Sequence, residues 1–313
     1  MGHVMLYAIV PVMVVMLAGY VGGRRGVFGP AAADVLNRVV LDFALPAALF
    51  VSIAHADRDL LVQNIRPALA AFVAVMLCFV LVYLVYKYCF RGNGSAEGAV
   101  MALLCGSPAI GFMGFAVLQP IFGVTPQVGL VVAVVGIVVN AVGIPLGLFL
   151  LNRAVGLSGG VWRPVGRALA QPVVWAPALA VVLVACGVRL PDGIFPSLEL
   201  LAGANASVAV FAVGVTLSAT RLRINRETVL GALLKTVAMP TVALAVGVLL
   251  DVDVQTVKML VVAGSLPPAF TGTMIAGKYG VYVANGASSL ALGVLSFVAA
   301  CPLWLIAADA LLG

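Results

Sequence analysis

Ten runs of mostly apolar residues follow one another along the chain, parted by short clusters of Gly, Pro and charge. A helix needs about 20 such residues to cross the hydrocarbon of a bilayer. The pattern therefore predicts ten spans, at roughly 5–22, 36–54, 67–88, 98–119, 127–151, 172–188, 196–219, 229–250, 257–279 and 286–308. Spans 4 and 9 are the least regular. "LLCGSPAIGFMGFAVL" at 103–118 sets Gly106, Pro108, Gly111 and Gly114 in the middle of an apolar run. Each of them weakens a continuous helix at that point.

Laid against itself, the chain matches at an offset of 158, close to half its length. "MALLCGSPAIGFMG" from Met101 falls on "MLVVAGSLPPAFTG" from Met259, pairing Gly106 with Gly264, Ser107 with Ser265, Phe112 with Phe270 and Gly114 with Gly272. Gly136 pairs with Gly293, "PLGL" from Pro145 with "PLWL" from Pro302, and "PAALF" ending at Phe50 with "SVAVF" ending at Phe211. Residues 1–155 and 156–313 read as two five-helix repeats. Because five is odd, the second enters the membrane inverted, the plan of many secondary transporters, whose sites form where broken helices meet at the midplane. Pro108, Pro267 and Pro268 remove backbone donors, and lipid cannot satisfy the carbonyls set free. The other reading of either segment alone is a kinked helix packed through glycine; two breaks at corresponding positions favour a site.

Composition settles the solvent. With 64% hydrophobic residues, 9% charged and a mean hydropathy of +1.21, the chain is too poor in polar surface to coat a soluble globule. The net charge of +6 is read by placement, so it implies no nucleic acid. Thirteen Lys and Arg residues flank the odd-numbered connections: Arg24, Arg25, Arg38, Lys87, Arg91, Arg153, Arg163, Arg167, Arg221, Arg223, Arg226, Lys235 and Lys278. Arg58, Arg66, Arg189 and Lys258 fall on the other side. The positive-inside rule then makes the odd connections cytoplasmic and puts both termini outside. Span 1 lacks a basic start and its apolar run is too long for a cleaved signal, so it is expected to be retained. The five cysteines show neither a C-x-x-C nor a His-rich partner, so neither a disulfide framework nor a metal site is indicated. The sequon at Asn93 would face the cytoplasm and carry no glycan.

Several stretches resemble the auxin efflux carrier family of bacteria and plants, which includes bacterial transporters proposed for malonate and malate. "LDFALPAALF" at 41–50 is similar to its second helix, "GFMGF" at 111–115 to its fourth, "LPPAF" with "AGKYGV" at 266–281 to its ninth, and "ALGVLSFVAACPLWL" at 291–305 to its last. The resemblance implies an all-α membrane protein of ten helices in two inverted repeats. Helices 1, 2, 6 and 7 would form a scaffold, usually at a homodimer interface. Helices 3–5 and 8–10 would form a transport domain that carries substrate past the crossing of helices 4 and 9 by an elevator-like displacement. Where many members have Asn, this chain has Ala109, and Ser207 and Ala116 stand where members have Pro. The missing amide removes a donor and an acceptor beside the crossing, so a relative's substrate does not transfer.

Breaks and resemblance together nominate the substrate-binding residues: Ser107, Pro108, Ala109, Ile110 and Phe112 in span 4, Ser265, Pro267, Pro268 and Thr271 in span 9, with Pro46 and Asn205. The hydroxyls of Ser107, Ser265, Thr271 and Thr273 would bind substrate oxygens or cap broken backbone, and the sequence leaves both roles open. Asp42, an intramembrane carboxylate, is a candidate proton relay; the favoured reading pairs it with Arg38 one turn earlier. Lys278 is read as snorkelling to the interface ahead of touching substrate. Glu97 and Glu199 have helix-end explanations, Asn140 and Ser207 bond between helices, and His3 and His55 are solvated.

These readings converge on a secondary transporter of a small organic anion, a carboxylate in class, in the inner membrane and without a cofactor. The rival is a sodium-coupled symporter of the bile-acid type, which needs several oxygen ligands around sodium; the breaks offer hydroxyls and carbonyls but no nearby acid or amide. No nucleophile with a base, His pair or paired carboxylates appears at helical spacing, so an enzyme is not expected.

Overall fold

A computed structural model describes residues 2–56, 58–90, 94–156, 166, 169–188, 190–220 and 222–313. Asp57, Arg91, Asn93, Arg163, Arg167, Arg189 and Arg221 lie outside the described residues, as does the side chain of His3. The described chain is mostly helical, and each predicted apolar run contains helix. The helices are α1 (Gly2–Arg24), α2 (Ala31–Ala54), α3 (Ile65–Cys89), α4a (Ser95–Cys105), α4b (Ile110–Phe122), α5 (Pro126–Ala154) and α6 (Pro172–Ala185). They continue with α7 (Phe195–Ser218), α8 (Arg226–Leu249), α9a (Val254–Ser265), α9b (Phe270–Tyr279) and α10 (Val283–Leu312). Six of them, α2, α3, α5, α7, α8 and α10, are long and apolar enough to cross a membrane.

The two irregular spans are broken. At a rise of about 1.5 Å per residue, the 11 residues of α4a and the 12 of α9a each reach roughly halfway through a bilayer about 30 Å thick. Cys105 to Ser265 and Ile110 to Phe270, the two ends of each break, are 160 residues apart. The structural register thus differs by two from the Gly-Ser match: Pro108-Ala109 corresponds to Pro268-Ala269, and Ser107 to Pro267. Gly-Ser ends a helix with equal ease in either register, whereas the prolines decide where extended backbone begins.

Three helices share a second irregularity. α2, α5 and α8 each contain one π-helical turn, Val40–Ala44, Val138–Gly143 and Leu234–Ala238, followed at once by Leu45-Pro46, Ile144-Pro145 or Met239-Pro240. A proline within a helix lacks an N–H and crowds the carbonyl four residues back. A wider turn ahead of it relieves that crowding.

Clustering of contacts divides the chain into two units, each drawing on both halves of the sequence. The first holds Met1–Ile65, Ile110–Gly136 and Ala170–Thr220; the second holds Arg66–Ala109, Ile137–Leu169 and Arg221–Gly313. The chain passes between them at the break in α4 and just ahead of the π turn in α5. In the first unit α1 packs along α7, and α2 packs on α6 and α7. Glycines let α1 and α7 approach to backbone contact: a Cβ on Gly214 would stand 2.0 Å from the Met16 carbonyl oxygen, and one on Gly19 2.2 Å from that of Phe211. In the second unit α4a is wrapped by α5, α8, α9b and α10, while α9a packs on α8 and α10. Every residue from Gly98 to Ile110 and from Met259 to Phe270 is buried.

Gly214→Val forces a side chain against backbone that cannot yield, and overpacking alone costs about 1–3 kcal/mol. The expected result is a melting temperature several degrees lower in detergent. Gly277→Ala, where a Cβ meets nothing within 4 Å, should not lower it.

Candidate functional site

The two breaks meet within the second unit. Prolines enforce extended backbone before themselves, and Leu266, ahead of Pro267, takes it up at φ −55°, ψ 153°; Ala269, the N-cap of α9b, is extended too at φ −69°, ψ 126°. The links then pair as an antiparallel bridge centred on Pro108 and Pro268. Neither proline has an N–H, so their neighbours supply the bonds reciprocally: Ala109 N–H donates to Pro267 O at 2.9 Å, and Ala269 N–H to Ser107 O and Leu104 O, both at 3.1 Å. A Cβ on Gly293 of α10 would lie 2.3 Å from the Pro268 ring, so the absence of a side chain there lets α10 seat against the link.

The crossing brings together Ser107, Pro108, Ala109, Ser265, Pro267 and Pro268; Thr271 follows in the first turn of α9b. The Ser265 hydroxyl donates to Val262 O at 2.8 Å and that of Thr273 to Phe270 O at 2.7 Å, so both satisfy backbone near the break. α4b and α9b begin at the links without an acidic residue in their first turns. A helix start exposes N–H groups and carries about half a positive charge, which suits an anion.

Other predicted residues lie in the first unit: Pro46, Ile110 and Phe112, all buried, and Asn205, 1% exposed. Neither polar atom of the Asn205 amide has a partner among the described residues, an expensive condition for a buried amide. Asp42 is exposed on the isolated chain, and no ion pair joins it to Arg38 among the described residues. The expected pairing fails because Asp42 sits in the π turn, whose wider winding carries it off the line above Arg38. His55 stacks on Phe195 with ring centroids 4.7 Å apart. It lines a cavity of about 480 Å³ in the first unit with Ser52, Gln119, Thr125 and Glu199.

Two features escaped the sequence reading. Lys235, counted there only as a flanking cation, is 0% exposed. Its Nζ donates to the Gly264 carbonyl, in the last turn of α9a, and lies 3.1 Å from Met239 Sδ. Its place well inside the apolar run of span 8 was the available signal. The second is a polar cluster where α8 begins. Glu227 accepts through Oε2 from the Tyr282 hydroxyl and from Asn285 Nδ2 at 2.8 Å, while its backbone carbonyl accepts from the Tyr86 hydroxyl. Asn225 and Thr228 close a capping box at the same helix start.

Paired helix breaks in so apolar a chain define a multi-pass membrane protein whose backbone opens among buried residues, the architecture in which transport sites are built. A family model described as "Membrane transport protein" matches residues 4–159 and 164–305, and the chain belongs to that family, the auxin efflux carriers. It is 44% identical over 301 residues to "Uncharacterized transporter YfdV" of Escherichia coli (strain K12), covering 95% of each chain. An "Uncharacterized transporter" of Methanothermobacter thermautotrophicus is 27% identical over 300 residues, 95% of this chain and 96% of that one.

Pro240 lacks the N–H that would bond Thr236 O, and the Trp304 indole N–H takes that carbonyl at 2.8 Å. Trp304→Phe should leave the carbonyl unsatisfied at a cost of about 1–3 kcal/mol, seen as a lower melting temperature by circular dichroism.

Proposed function

We propose that this transporter is a secondary carrier of a small organic anion, a carboxylate in class, which binds at the crossing of α4 and α9. The observation that carries the reading is the reciprocal crossing itself: two half-helix starts brought together in a buried setting with no acidic side chain in either first turn. Backbone dipoles there attract a carboxylate without a fixed salt bridge. In this reading the ten helices form two inverted repeats, residues 1–155 and 156–313. Helices 1, 2, 6 and 7 are the scaffold, helices 3–5 and 8–10 the transport domain, and the chain functions as a homodimer. The termini face outward across the cytoplasmic membrane. The division into contact units supports an elevator-type motion in one respect, since α1, α2, α6 and α7 share one unit while the crossing lies in the other; α4b and the first part of α5 fall with the former. The absence of a nucleophile–base pair in the spans supports transport without chemistry on the substrate.

Counterflow into proteoliposomes with malonate, malate and indole-3-acetate tests the reading. Wild type should accumulate at least one of them, and Pro267→Ala with Pro268→Ala should abolish that uptake while the protein stays folded, since the links would no longer be held extended. Equal uptake by the double variant would remove the crossing from the mechanism. Uptake that ignores sodium would reject the bile-acid-type alternative.

Asp42, exposed in its π turn and without an ion pair among the described residues, is the proposed proton relay. Asp42→Asn should make uptake indifferent to an imposed proton gradient; a retained gradient response would assign the coupling elsewhere.

A further inference from the structure

Each of the three π turns carries a charged or amide side chain in a mostly apolar stretch, Asp42, Asn140 and Lys235, the last beside Thr236. Such turns recur at functional sites because the extra residue re-aims its neighbours. Lys235 is the one aimed at the crossing. Its Nζ meets the Gly264 carbonyl, the titratable groups facing it are Cys78 of α3 and Cys105 of α4a, and no carboxylate lies within ion-pair distance among the described residues. An ammonium buried without a counter-charge is costly by several kcal/mol. That cost leaves an opening for an anionic ligand.

Half-helix dipoles set the balance. Two positive starts, α4b and α9b, and two negative ends, α4a and α9a, converge at the links, so the ends offset part of the attraction that the starts exert on an anion. At the end of α9a, Val262 O accepts the Ser265 hydroxyl, Ala263 O accepts the Leu266 N–H at 3.4 Å, and Gly264 O accepts Lys235. When protonated, Lys235 removes the offset of one negative end and shifts the balance at the crossing toward anions.

We propose that Lys235 is the specificity-determining charge of the transport site, making the crossing favour anions over neutral molecules and dianions over monoanions. The inference rests on the crossing being the carboxylate site. Lys235 acts through the end of α9a and so is a positioning residue for charge, with no contact to substrate required.

The test compares malonate with propionate, a dianion and a monoanion of equal carbon number, in proteoliposomes of wild type, Lys235→Met and Cys78→Asp. Methionine keeps the length of the side chain and removes its charge; aspartate at 78 keeps the lysine and pairs it. Lys235→Met should raise the KM for malonate at least tenfold more than that for propionate, with the maximal rate changed alike for both, which a general loosening of the fold would not do. Cys78→Asp should shift the ratio the same way, and its result decides if Lys235→Met fails to fold. An unchanged malonate-to-propionate KM ratio in the folded variant overturns the role of Lys235 and leaves the crossing standing. Wild type that transports neither acid nor any of the larger panel overturns the carboxylate reading and this inference with it.

Discussion

Backbone groups that no lipid can satisfy are the constraint around which the second unit is organised. Every peptide carries a donor and an acceptor, and in an apolar medium each must find its partner within the protein. At the links after α4a and α9a the helical ladder stops, and two prolines facing each other cannot donate at all. The solution is mutual: Ala109 supplies the carbonyl of Pro267, and Ala269 supplies those of Ser107 and Leu104. Neither break is satisfied without the other. The mutual pairing accompanies the complete burial of both segments, and the glycine at 293 lets α10 seat against the Pro268 ring.

The same accounting runs through the intact helices. Each π turn stands just ahead of a proline, where the ladder has to lose a bond; in α8 the freed Thr236 carbonyl is taken up by Trp304 of α10. Irregular turns also turn side chains away from the direction that a 3.6-residue period dictates. Asp42 leaves Arg38 for this reason, and Lys235 arrives at the end of α9a. Local strain in the helix is thereby converted into the placement of polar groups in an apolar body.

Elsewhere the packing depends on closeness alone. Gly19 and Gly214 bring α1 and α7 to backbone distance, a way of holding helices together where apolar side chains gain little by leaving lipid. The amide of Asn205, buried in α7 without a partner among the described residues, is a polar group that this packing leaves unanswered.

Much of this was legible along the chain. Apolar runs parted by charge locate the helices, six of them long and apolar enough to cross a membrane, since the length of a membrane helix is set by the bilayer and not by distant contacts. Prolines in the middle of spans 4 and 9 give the breaks, since a missing N–H is a local fact. The register of the breaks was misjudged by two residues, because Gly-Ser similarity is weaker than the steric demand of Pro-Ala. Lys235 passed as an interfacial cation and Asp42 as half of an ion pair, because both judgements assume an even helical winding. Whether a carbonyl is free, and which side chain from a distant helix reaches it, depends on the crossing of segments some 160 residues apart. The chain by itself determined its solvent, its spans and where they break; which groups meet at the break was decided only by the tertiary structure, because hydrogen bonds across it are made by atoms that no sequence interval brings together.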